Sequence, residues 1–198
     1  MTKAEFISVI KNTLKKVDEQ GTYREPLLER HISVVHEQMF NELFQKDRKG
    51  IQKYLKAYFD TVSGGDGVLT TGHTLANLPI SLPRINGGLF KVWSTGVATN
   101  SFVLTTAQGL DNAIDDNFDT SGFKGSYFAS LQGDVLYGNV TVANDDVIRY
   151  KIIPKFTTLG LTDQVSVAGG AEEMLIDRVV DTIQHMPPTD LINDNTVQ

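Results

Sequence analysis

The most restrictive feature of this sequence is the segment Ser63-Gly64-Gly65-Asp66-Gly67. Before it, apolar residues recur at the helical period of about 3.6; beyond it they alternate at about 2. A chain that changes period in this way buries one stripe as helices and one face as sheet, which sets the fold class as α+β. The expected layout is N-terminal helices, an antiparallel β-rich sheet or small barrel, and a C-terminal helix. Because the segment is made of turn formers, it also marks a boundary. The chain is therefore read as a helical region 1–62, a β-rich domain 63–168, and a C-terminal helix with a polar tail over 169–198.

The helical region opens on Thr2-Lys3-Ala4-Glu5, a capping box in which the Thr hydroxyl and the Glu carboxylate each satisfy a free amide at a helix start. Phe6, Val9, Ile10, Leu14 and Val17 follow at helical spacing and predict a helix over 3–18, ended by Gly21. Pro26 fits the first turn of a second helix, where its missing N–H would have no partner anyway. Leu28, Ile32, Val35, Met39 and Leu43 form that helix's apolar stripe. Ile51, Tyr54, Leu55, Tyr58 and Phe59, interleaved with lysines, predict a third helical stretch after Asp47.

Beyond the boundary, β-branched and aromatic runs predict strands over 78–82, 89–94, 101–106, 127–131, 134–137, 140–143 and 147–156. Asn86-Gly87-Gly88 and Gln132-Gly133-Asp134 are read as hairpin turns, because glycine reaches positive φ without a Cβ clash. A sheet of local hairpins is the expectation. In the last strand Ile148, Tyr150 and Ile152 alternate with Val147, Arg149 and Lys151, giving one buried face and one basic face. A final helix is predicted over 170–185, with Met174, Leu175, Val179 and Ile183 apolar and Glu172 and Glu173 near its positive end; Pro187-Pro188 stops it.

Composition removes several classes of function. With no cysteine, disulfides, thiolate zinc sites, iron–sulfur clusters and thiol nucleophiles are excluded. The sequence contains no run of about 18 apolar residues and opens without an apolar signal core, so a soluble, unexported protein that does not enter a membrane is expected. Charge is uneven: residues 1–62 carry 11 Lys and Arg against 9 Asp and Glu, whereas 63–198 carry 7 against 15. That acidic balance argues against sequence-reading nucleic-acid binding, which needs clustered cations.

Several residues invite a site and then fail on spacing. His36-Glu37 begins like a zinc-protease helix motif, but Phe40 stands where the second histidine is required. His31 and His36 project about 140° apart on a helix, so solvated or capping roles are assigned to them and not metal ligation. Gly64-Gly65-Asp66-Gly67 lacks the Gly-Lys-Ser/Thr of a phosphate loop and is read as a linker. Asp111, Asp115, Asp116 and Asp119 lack EF-hand spacing and are read as an exposed acidic loop instead of a calcium site. His73 and His185 could each meet a serine, but neither lies in a recognisable nucleophile setting. No catalytic, cofactor-binding or metal-binding residue is assigned, and no cofactor is expected.

The stretch Tyr127 to Phe156 runs through Gly133-Asp134 and Val140-Thr141-Val142 to Ile148-Arg149-Tyr150-Lys151-Ile152-Ile153-Pro154. It resembles head-to-tail connector proteins of tailed bacteriophages, in which a meander ends in a Tyr-x-x-x-Pro strand. The acidic helix Glu172-Glu173-Met174-Leu175-Ile176-Asp177-Arg178-Val179-Val180, the prolines and the tail Asp190-Leu191-Ile192-Asn193-Asp194 are similar in layout to a ring protein of crAss-like phages. The resemblance implies a structural, non-enzymatic virion subunit of the portal vertex, neck or tail, assembled in the host cytoplasm. It also implies a closed ring of about twelve copies, with portal and neighbouring neck or tail proteins as partners. Phage DNA would pass through the lumen without sequence-specific binding. Like charge then places the acidic β-rich part toward the channel.

Two other readings stand beside this one. A phage-associated hydrolase would use two carboxylates, with Asp134 and either Asp145 or Asp146 as candidates borne on the sheet. A small DNA-binding protein would use Lys11, Lys15, Lys16, Arg48, Lys49, Lys53 and Lys56, although interspersed acids weaken their field.

Overall fold

A computed structural model describes residues 1–17, 24–61, 68–94, 101–114, 127–139, 147–168 and 171–185. The chain is α+β, as its periodicity requires. It divides into two units, one made of Met1–Tyr54 with Lys155–Gln198 and the other of Leu55–Pro154. The division falls before the glycine-rich segment 63–67, which lies outside the described residues. The C-terminal helix, expected as a region of its own, belongs to the same unit as the N-terminal helices.

In the first unit, helix α1 spans Lys3–Val17 and opens with the capping box: Thr2 N–H donates to Glu5 Oε2 at 2.8 Å, and Glu5 N–H to Thr2 Oγ1 at 3.3 Å. The Thr2 amide foremost, and the Thr2 hydroxyl after it, hold the Glu5 carboxyl below its ordinary range. Phe6, Ile10 and Leu14 are fully buried, one turn apart, whereas Val9 is partly exposed. Helix α2 spans Glu25–Lys46 with Pro26 in its first turn. It buries Leu28, Ile32, Val35 and Met39 as expected, and also Ser33, His36, Phe40 and Phe44. A 3₁₀ turn, Phe156–Thr158, inserts the buried Phe156 with its ring 5.8 Å from that of Phe6. Removing one such aromatic side chain from water contributes about 2–3 kcal/mol. The C-terminal helix spans Glu172–Gln184 and packs on α1 and α2 through Leu175, Ile176, Val179, Val180 and Ile183.

The third helical stretch does not form. Asp47 ends α2, its Oδ1 accepting the amides of Lys49 and Gly50 at 3.2 and 2.8 Å, and a 3₁₀ turn over Gly50–Tyr54 follows. Strand β1, Lys56–Thr61, comes next. Ile51 and Tyr54 lie in that 3₁₀ turn, whereas Leu55, Tyr58 and Phe59 satisfy a helical spacing by coincidence. In β1, Tyr58 and Asp60 turn inward while Phe59, assigned to the apolar stripe, is 72% exposed.

The second unit continues with α3 (Val68–Thr71), β2 (His73–Thr74), β3 (Leu89–Ser94), β4 (Val103–Leu104) and α4 (Ala107–Ile114). Strands β5 (Phe128–Gln132), β6 (Val135–Gly138) and β7 (Val147–Ile152) complete it, so that Glu172–Gln184 is α5. One sheet has the antiparallel order β1-β7-β3, and the other the order β2-β6-β5-β4, in which β4 and β5 run parallel. Among the described strands only β5 and β6 are joined by a tight turn, Gly133-Asp134, with Gly133 at φ 66°. The expectation of local hairpins is thus corrected: the central strand β7 pairs with β1 and β3, which lie far back in sequence. The predicted strand 78–82 is irregular apart from a bridge between Pro79 and Pro154. At the Asn86-Gly87 turn both residues have positive φ, and the Asn86 side chain accepts from Leu131 N–H at 2.6 Å and donates to the Thr105 carbonyl at 3.0 Å. Leu89, Val92, Ile148, Tyr150 and Ile152 from the first sheet meet Ala129 and Leu136 from the second in one core with Leu69, Leu75 and Phe102.

Candidate functional site

Among the described residues a dense polar cluster lies in the second unit. Asp60 faces inward from β1, His73 stands on β2 and Tyr150 on β7. The Asp60 carboxylate accepts His73 Nε2–H at 3.3 Å, the Ala76 amide at 3.0 Å, and the Tyr150 hydroxyl at 3.1 Å from each oxygen. The Tyr150 oxygen in turn accepts the Asn77 amide at 3.2 Å. Burial pushes the Asp60 carboxyl upward, but the donors from His73, Ala76 and Tyr150 together outweigh it, and the group rests below its ordinary range. Burial, reinforced by the facing charge of Asp60, drives the Tyr150 phenol well above its ordinary range. At neutral pH the cluster holds an ionised carboxylate and a neutral phenol.

An acid, an imidazole and a hydroxyl also make up a catalytic triad, yet the connectivity differs. A triad's base receives the proton of its nucleophile; here the hydroxyl donates to the acid, and the imidazole is turned to that same carboxylate. The cluster instead fastens β1, β2 and β7 together. Sequence reasoning weighed only His73 of these as a site residue, because Asp60 is 13 residues from it and 90 from Tyr150, with no local spacing to join them.

The other candidates disperse. His36, assigned a solvated or capping role, is buried, 1% exposed. Its Nε2–H donates to the Ser166 carbonyl at 2.6 Å, and its ring stands edge-on to Phe40, so it is a core side chain. His31 is half-buried on α2. His185 is exposed at the end of α5, its Nδ1 at 2.7 Å from the Asp181 carbonyl. Asp111 is exposed on α4, a helix that sequence reading missed and that Thr106 starts by accepting the Gly109 amide at 3.1 Å; Asp115, Asp116 and Asp119 lie outside the described residues. Asp134, considered as a carboxylate on the sheet, occupies the exposed β5–β6 turn, and Asp145 and Asp146 are also outside. Of the lysines proposed for DNA, Lys11 pairs with Glu25, Lys53 lies 5.1 Å from the Tyr54 ring, and Lys56 belongs to the second unit.

Lys3, 4% exposed, is held by Glu29 at 3.1 Å and the Leu159 carbonyl at 3.0 Å, over the Phe156 ring. Within the first unit two open grooves flank α5. One of about 850 Å³ is lined by Tyr54, Val165, Val167 and Glu173; one of about 310 Å³ by Met39, Leu43, Ala168 and Arg178. Met174, placed by sequence reading on the apolar face, borders both and is 48% exposed.

The outward face of the β1-β7-β3 sheet carries the basic half of the β7 alternation. Phe59, Arg149 and Trp93 stand opposite one another across the three strands, and Ala57, Lys151 and Lys91 form the next row. Among the described residues no group of three or more His, Asp or Glu side chains is placed to hold a metal ion, and no helix is long and apolar enough to cross a membrane. Comparison of the sequence with protein-family models and with curated proteins finds no match, so the functional reading rests on residues and geometry.

Proposed function

We propose that this chain is a structural subunit of a bacteriophage portal-vertex, neck or tail ring that joins head to tail around the DNA channel. The observation that supports repeated assembly is Met174: a large apolar side chain, nearly half exposed, borders two concavities along α5. Exposed apolar side chains beside shaped grooves fit repeated contact between copies, which covers faces that a lone subunit leaves wet. Leu161 and Val34 are also exposed apolar side chains of the same unit, at 57% and 48%. The polar groups in both units support it too, since Lys3, His36 and the Asp60 cluster are engaged in holding elements together and the role needs no chemical step.

Light scattering on the eluting full chain tests the reading. A closed ring has a mass that is a fixed multiple of 21.8 kDa, and Met174→Asp lowers that mass without lowering the melting temperature, because an exposed side chain holds little of the fold. A wild-type chain that stays monomeric at every concentration, alone and mixed with a portal protein, overturns it.

A further inference from the structure

We infer that the outward face of the β1-β7-β3 sheet binds single-stranded nucleic acid, with bases on Phe59 and Trp93 and phosphates on Arg149, Lys151 and Lys91. The charge distribution is the first ground. Residues 63–198 hold only 7 Lys and Arg against 15 acids, yet three of those cations stand together on this face. The only acid in these three strands, Asp60, points the other way into its cluster. Chance scatter in an acidic region would have mixed the signs.

The aromatic side chains are the second ground. Phe59 is 72% exposed, on an edge strand whose remaining neighbours would have rewarded a polar residue. Trp93, the sole tryptophan of the chain, is half-buried with Lys91 Nζ 5.2 Å from its ring. Arg149 lies between the two rings in register. Neighbouring strands are about 4.8 Å apart, so the backbones that carry the two rings lie about 10 Å from each other with that of Arg149 midway. The row containing Lys151 and Lys91 lies about 7 Å further along the strands. Unpaired bases stack on such rings and their phosphates need cations beside them, which is how sheet platforms hold single strands. An acidic peptide would use the cations and leave Phe59 and Trp93 without a purpose. Duplex DNA would offer phosphates but no free base faces.

Trp93 provides the readout, because base stacking quenches indole emission. With the full chain, a thymidine 20-mer should quench that emission saturably, and a duplex of equal length should do so far more weakly. Three phosphate contacts give a slope of about −2 for the logarithm of affinity against that of salt concentration. Phe59→Ala should weaken binding by about 5- to 150-fold, the loss expected for one stacked base. Arg149→Gln with Lys151→Gln should flatten the salt slope below about −1. These side chains are exposed, so the melting temperatures should hold. The face does not depend on ring assembly, and the Met174→Asp variant should bind equally well. The inference is overturned by an absence of quenching, by equal quenching with duplex, or by unchanged affinity in Phe59→Ala. An emission shift with phosphatidylserine vesicles and none with the oligonucleotide also overturns it and assigns the face to a lipid surface.

Discussion

Replacing Tyr150 by Phe removes one oxygen and nothing else. The ring keeps its place in the core and its stack on Tyr58, 6.1 Å between centroids. Two hydrogen bonds are lost: the donation to the Asp60 carboxylate and the acceptance from the Asn77 amide at 3.2 Å. A bond to a charged group is worth about 1.5–3 kcal/mol and a neutral one about 0.5–1.5. Since Asn77 is only half-buried, water partly replaces the second. The variant should therefore be about 2–3 kcal/mol less stable in urea at pH 7. The pH dependence separates the two losses. Asp60 ionises more readily folded than unfolded, so its contribution is complete above the ordinary aspartate pKa of about 4 and is lost as pH falls through the lower folded value. Without the phenol, that folded value rises toward the ordinary one. The difference between variant and wild type should accordingly be largest at neutral pH and shrink toward pH 3. A loss below about 0.5 kcal/mol, or one constant over that range, would refute the assignment of Tyr150 as a donor to an ionised carboxylate.

Other expectations follow from single sites. Lys3→Met should cost about 2–3 kcal/mol in urea denaturation, because Glu29 and the Leu159 carbonyl lose the donor placed between them. Gly133→Ala should cost only about 1 kcal/mol, the price of a left-handed conformation, since no atom lies within 4 Å of the added Cβ. Gly88→Ala should cost more than Gly133→Ala in the same thermal melts, because its Cβ would sit 2.6 Å from the Ile80 carbonyl oxygen.

Local chemistry was legible wherever a few adjacent residues decide the outcome. Thr2 and Glu5 announced α1, Pro26 the start of α2, Gly133 the β5–β6 turn, and the alternation of Ile148, Tyr150 and Ile152 the buried face of β7. Where partners are distant, the pattern misled. Residues 56–61 suit a helix by spacing, and only pairing with β7 makes them a strand. His36 looked solvated because its cage, Phe40 and Phe156, is assembled from two ends of the chain. The Asp60–His73–Tyr150 cluster was invisible for the same reason, and so was the gathering of Phe59, Arg149 and Trp93 from three strands onto one face. Only the β7 share of that face was readable in advance.

The pairing of Lys56 with Ile152 brings the two ends of the second unit side by side. For a growing polypeptide this sets an order of events. Strand β1 has to wait for β7, because Tyr150 lies 90 residues beyond Asp60. At about 5–20 residues per second the wait lasts several seconds, during which Tyr58 and Phe59 stand on an unpaired edge. Helices α1 and α2 wait longer still, for α5. Such a topology defers most of its long-range pairing until α5 has been made. The same adjacency means that a linker of a few glycines between Tyr54 and Lys155 would close the first unit at little entropic cost, leaving two separable proteins where there had been one.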